Sequence, residues 1–128
     1  MEKLYIEPTK YTPEIILDPD NGIIEIKGKS YPENTFEFYE PVMQWLKEYF
    51  KNPKEPTVVN MEIIYFNSSS SKWFFDFFDF LEEQVQNGHK IIINWIYDEE
   101  NDIAEEAGED FKEDFENLEI NLVKKEGS

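Results

Sequence analysis

The chain alternates between two hydrophobic periods. Ile15-Ile16-Leu17 reads as a short strand, Asp18-Pro19-Asp20-Asn21-Gly22 as a turn, and residues 23–28 as its hairpin partner, with Ile24 and Ile26 facing one way and Glu25 and Lys27 the other. Tyr31-Pro32-Glu33-Asn34 reads as a loop, because the residue ahead of a proline is held extended. The period then lengthens. Phe38, Val42, Trp45 and Tyr49 recur at i, i+4, i+7 and i+11, one stripe of a helix expected over residues 40–51. Pro41 falls in its first turn, where a missing N–H costs nothing.

Residues 58–66 are apolar on both faces except at Asn60 and Glu62, which suits the middle of a sheet covered on both sides. A second helix, over residues 70–86, stops at Asn87-Gly88. Residues 90–97 repeat the buried-strand pattern, and a very acidic third helix over residues 102–115 is expected to bury Ile103, Ala107, Phe111 and Phe115. Residues 118–123 close the chain as an edge strand. The order β-β-α-β-α-β-α-β predicts a single α/β domain over residues 1–128, a mixed sheet with three helices. Strand–helix–strand crossovers make the middle of that sheet parallel and right-handed.

Charge narrows the function. The 128 residues carry 12 basic against 29 acidic side chains, a net charge of −17, yet 16% of them are aromatic. A disordered acidic tail lacks such a core, so the chain is a globular domain with an acidic shell. That shell repels phosphate backbones and anionic lipid, so no nucleic acid and no membrane insertion are expected. With no cysteine there is neither a disulfide nor a thiolate metal site, and the absence fits a reducing compartment. The opening MEKLYIEPTKYTPE has no signal-peptide core, and no run approaches a membrane span; the expectation is a cytoplasmic protein.

Catalysis and metal binding find little support. His89, the single histidine, stands at the start of a strand; a small hydrolase would need a carboxylate-lined pocket around it, and no G-x-S-x-G elbow surrounds any serine. The five glycines are isolated, so phosphate-cradling loops are missing. Asp98, Glu100, Asp102 and Glu109 fall at EF-hand-like spacing, but Ile103 replaces the required glycine. No cofactor and no metal are expected.

The unusual segment is Tyr65-Phe66-Asn67-Ser68-Ser69-Ser70-Ser71-Lys72-Trp73, where a central strand gives way to a helix. That junction exposes unpaired N–H groups under a positive helix dipole. In one reading a serine caps the helix and its neighbours fill the turn, leaving a constitutive interaction module. In the other, one hydroxyl is a phosphoacceptor whose phosphate occupies a ready anion site, helped by Lys72. Beyond the serines, Phe74, Phe78, Leu81 and Val85 share the sheet-facing stripe, and Trp73, Phe77 and Phe80 form a second stripe beside it. The second stripe is either covered by neighbouring elements or is a partner-docking face.

Gly28-Lys29-Ser30-Tyr31-Pro32-Glu33-Asn34, Phe38-Tyr39-Glu40-Pro41-Val42, Trp45-Leu46, Tyr65 to Lys72, Trp95-Ile96-Tyr97-Asp98-Glu99 and Gly108-Glu109-Asp110-Phe111 together resemble the SiaC family of bacterial regulatory phosphoproteins. The resemblance implies a fold like STAS domains and anti-sigma-factor antagonists, and a partner-switching role. It implies a hydroxyl directly after the Asn, here Ser68, phosphorylated by a Ser/Thr kinase and reset by a PP2C-like phosphatase. It further implies that the unphosphorylated form binds and activates a diguanylate cyclase, raising cyclic di-GMP and promoting biofilm formation. The family's acceptor is usually threonine; here it is serine, with Ser69 as a neighbouring competitor.

Overall fold

In the computed structural model of the chain, which describes residues 1–126, six strands and three helices follow one another as β1 (Leu4–Ile6), β2 (Glu14–Asp18), β3 (Ile23–Ser30), α1 (Thr35–Tyr49), β4 (Thr57–Phe66), α2 (Ser68–Gln86), β5 (Ile91–Asp98), α3 (Asp102–Asp114) and β6 (Glu119–Lys125). Gly127 and Ser128, the end of the expected domain span, lie outside the described residues. The strands stand in chain order in one sheet; β1 to β3 are antiparallel neighbours, whereas β3 to β6 are parallel, each linked to the next by one helix. Crossovers of one hand that always step the same way place all three helices on the same face.

Strand alternation agrees with that layering. Ile15, Leu17, Ile24, Ile26, Val59, Met61, Ile63, Ile93 and Trp95 are buried and form one core with the helices. Their in-between neighbours on β2 to β5 are only partly covered or exposed. The expectation of a sheet covered on both sides is therefore corrected. The outer face carries Ile16, Val58, Ile92 and Ile96, crossed by a ladder in which Asn94 donates to Asn60 (2.9 Å) and Asn121 donates to Asn94 (3.2 Å). These amides satisfy one another at the surface, which lets parallel strands tolerate an open face.

Two further differences have local causes. The short edge strand β1, not expected from sequence, pairs Leu4 with Leu17 and Ile6 with Ile15. Helix α1 begins at Thr35 rather than near residue 40, because Asn34 caps it by accepting a hydrogen bond from the Glu37 N–H (3.1 Å). Pro41 consequently sits inside the helix, on its exposed side.

Helix α3 is rotated from its expected phase. Ala104, Gly108 and Phe111 are its buried residues, Phe115 is buried at its C-cap, Ala107 is half-buried and Ile103 is 75% exposed. The indole of Trp95 explains the rotation. Its Nε1 donates to the Ala104 carbonyl (2.8 Å), and a Cβ added at Gly108 would lie 2.5 Å from its Cδ1. Only a glycine lets the helix approach that ring, so the glycine turns inward and Ile103 turns out. No helix among the described residues is long and apolar enough to cross a membrane.

Candidate functional site

The bulged end of β4 leads through Asn67 into α2. Asn67 is the cap: its Oδ1 accepts from the Ser70 N–H (2.9 Å) and from the Ser69 hydroxyl (3.1 Å). The idea that a serine caps this helix is thus corrected, and Ser68 is its first residue rather than a residue ahead of it.

The four serines then separate by burial. Ser70 is fully buried, and its hydroxyl is bonded to Ser30 Oγ (2.8 Å), which is bonded in turn to the Tyr39 hydroxyl (2.6 Å). Burial pushes the Tyr39 phenol above its ordinary range, only partly offset by the Ser30 hydrogen bond. Ser69 is exposed at the surface but engaged, with Thr35 Oγ1 at 2.6 Å and Asn67. Ser71 is half-buried. Ser68 is exposed, and among the described residues its hydroxyl makes no side-chain hydrogen bond. Residues 68, 69 and 70 thus face solvent, the α1 terminus and the core respectively, as the 100° step of a helix requires.

Ser68 lies at the rim of a groove of about 670 Å³ between α2 and α3. Helix α2 contributes Ser68, Ser71, Lys72, Phe75 and Asp76, and α3 contributes Ile103, Glu106, Ala107, Asp110, Phe111 and Asp114. Both sets recur at three- and four-residue spacing, so each is one face of its helix. Phe75 (45% exposed) and Ile103 present apolar surface there, and four carboxylates face a single ammonium, that of Lys72, whose Nζ stands 5.8 Å from the Phe36 ring.

The aromatic stripe expected to dock a partner is instead interior. Trp73 and Phe77 are buried, stacked with each other at 5.3 Å, and Trp73 stacks on Tyr39 of α1 at 4.0 Å. Phe80 is half-buried against Phe50. Helix α1, packed beside α2, covers that stripe, so Trp73, Phe77 and Phe80 hold the helices together. The exposed aromatic of α2 that sequence reasoning missed is Phe75. Its signal was present: it alone among the helix's aromatics belongs to neither stripe.

The remaining candidates are structural. His89 Nδ1 lies 3.0 Å from Glu55 Oε1, one α2 length of about 28 Å from the serines, which rules out a triad built from them. Asp98 accepts from the Glu100 N–H and Asn101 caps α3, so the acidic loop organises a helix start. Among the described residues no group of three or more His, Asp or Glu side chains could hold a metal ion.

A model of the SiaC family, described as regulatory phosphoproteins, matches residues 6–125. An uncharacterized protein of Pseudomonas aeruginosa (strain UCBPP-PA14) is 35% identical over 114 residues, which is 89% of this chain and 90% of the relative. Among solved structures, SiaC of Pseudomonas aeruginosa superposes with a TM-score of 0.85 at 31% identity, covering 99% of this chain and all of that one. A chain from the crystal structure of the diguanylate cyclase SiaD in complex with its activator SiaC, also from Pseudomonas aeruginosa, superposes at 0.89 with 32% identity, covering 95% of this chain and 99% of that one.

Proposed function

The chain belongs to the SiaC family of regulatory phosphoproteins, and from that premise we propose that it is a non-catalytic cytoplasmic adaptor switched by phosphorylation of Ser68. A Ser/Thr kinase adds the phosphate and a PP2C-like phosphatase removes it. The unphosphorylated form binds and activates a diguanylate cyclase, in the way that SiaC is the activator of SiaD in the Pseudomonas aeruginosa complex. The observation that carries this reading is the sorting of the serines: Ser68 is the exposed hydroxyl free of side-chain partners, and it lines the groove between α2 and α3, beside the exposed Phe75 and Ile103.

The physical effect of the modification follows from its surroundings. Phosphate adds about −1.5 to −2 charges beside Phe66, Phe75 and Ile103. Docking there would require desolvating a dianion against aromatic and aliphatic surface, with Lys72 the one cation lining the groove. The unmodified serine carries no such penalty, because a neutral hydroxyl at a helix start is easily covered.

Tandem mass spectrometry on protein purified from its native cells, with and without phosphatase, tests the assignment. Phosphatase-sensitive phosphate on Ser68 is expected. Phosphate confined to Ser69 or Ser71, or none under any growth condition, overturns it. Titration calorimetry against the cyclase supplies the second arm: Ser68→Glu binds more weakly than wild type while unfolding at the same temperature.

A further inference from the structure

A second cavity, of about 660 Å³, shares no residue with the groove at Ser68. It lies between the segment ahead of β2 and the start of α1, where Tyr11, Tyr31 and Phe38 bring three rings to its wall together with the Glu33 carboxylate. Among the described residues no lysine lines it. Local hydrogen bonds fix the wall. The Thr9 hydroxyl accepts from the N–H groups of Tyr11 (3.1 Å) and Thr12 (3.0 Å), and the Tyr31 N–H donates to the Tyr11 carbonyl (2.9 Å), tying that turn to the end of β3. The rings follow the same order. Tyr11 meets Tyr31 at 80° with centroids 5.2 Å apart, and Tyr65 packs on Tyr31 at 83° and 5.3 Å.

This lining selects a cation. The faces of the rings are electron-rich, and Glu33 adds a full negative charge. The chain's own Lys10 displays the attraction: its Nζ stands 5.9 Å from the Tyr11 centroid, although Lys10 is exposed and does not line the cavity. The net charge of −17 draws cations toward the whole surface. Exposure narrows the source. Tyr11 is 52% exposed, so this wall is open and suits a side chain presented by another protein better than an enclosed free molecule. Between the two strongly basic side chains, the planar guanidinium stacks on a ring and forks two hydrogen bonds onto a carboxylate, whereas an ammonium is a point charge.

We propose that this cavity receives an arginine side chain of a protein partner, its guanidinium against the Tyr11–Tyr31 corner and bonded to Glu33, its methylenes along Phe38. The chain contains no arginine, so neither its own segments nor a second copy can supply the group. The assignment is independent of the switch at Ser68.

The test uses the full chain, with tyrosine ring signals followed by NMR, and two probes: acetyl-Gly-Arg-Gly-amide and its citrulline twin, which keeps the shape and loses the charge. The arginine peptide is expected to shift Tyr11 and Tyr31 and to bind about fivefold more tightly than the citrulline one, as a cation on an exposed ring should. Tyr11→Leu keeps apolar area without a ring face, and Glu33→Gln removes only charge. Each is expected to abolish most of that preference while unfolding at the wild-type temperature. Glu82→Gln, on α2 and outside the cavity, is expected to leave it unchanged.

Equal binding of the two peptides, a preference that both Tyr11→Leu and Glu33→Gln leave intact, or no shift up to the solubility limit of the arginine peptide overturns the proposal. Tetramethylammonium chloride separates the sources. Tighter binding of that salt than of the arginine peptide overturns the arginine assignment and makes the cavity a site for free quaternary amines.

Discussion

Gly108→Ala is the substitution whose cost the structure states most directly. The added Cβ would meet Trp95 Cδ1 at 2.5 Å, Trp95 Nε1 at 2.8 Å and Leu122 Cδ2 at 2.8 Å. Relieving these contacts means moving α3 or the indole by nearly an ångström, an overpacking cost of about 1–3 kcal/mol. The same movement stretches the Trp95 to Ala104 hydrogen bond, about 1 kcal/mol more. Against this stands the helix propensity of alanine over glycine, about 1 kcal/mol in favour of the variant. The net expectation is about 2 kcal/mol of destabilisation, or roughly 6–10 °C in Tm for a domain of this size. Urea unfolding followed by tryptophan fluorescence measures it. In a Trp95→Phe background the two indole contacts vanish, and the cost of Gly108→Ala should shrink by more than half. A variant as stable as wild type, or a cost unchanged by Trp95→Phe, would refute the claim that this glycine exists to admit the indole.

Further expectations concern the start of α2, the proposed acceptor Ser68 and pH. Asn67→Ala removes the α2 cap and should cost about 1 kcal/mol, whereas Ser68→Ala should stay within about 0.5 kcal/mol of wild type in the same denaturation assay. Ser69→Ala breaks the contact to Thr35, lowering stability by about 0.5–1.5 kcal/mol, but leaves kinase stoichiometry on Ser68 intact by mass spectrometry. Tyr39 is held neutral in the fold above the ordinary phenol value of 10.0. Its contribution is complete below that value and is lost as pH rises through the raised folded pKa, at up to about 1.4 kcal/mol per pH unit. Urea titrations from neutral to strongly alkaline pH should show that decline, and Tyr39→Phe should flatten it.

How much of this was legible in the sequence depended on what marked each face. Strand positions and the β-α-β rhythm were plain, because isoleucine and valine alternate or cluster at period two. The start of α1 was also written, in Asn34 and Glu37 at cap spacing, but the proline at position 41 drew the boundary inward. The phase of α3 was not legible: a buried glycine carries no hydrophobic signal, and only the Trp95 ring opposite shows why Ile103 must face outward. At the site, the asparagine–serine run located the junction. It could not rank the hydroxyls, since burial of Ser70 and engagement of Ser69 arise from Ser30 and Thr35, distant in the chain.

The chain of hydroxyls from Tyr39 through Ser30 to Ser70, with Thr35 holding Ser69 beside it, anchors the first turn of α2 to the sheet and to α1. A signal written on such a fixed support has no need to melt a helix or swing a loop. Under the proposed Ser68 switch, the two forms would share one shape and differ in a few atoms at its rim, so the message would be the electrical character of a surface. Resetting such a switch would take only the cleavage of one phosphate ester, with no refolding step to wait for.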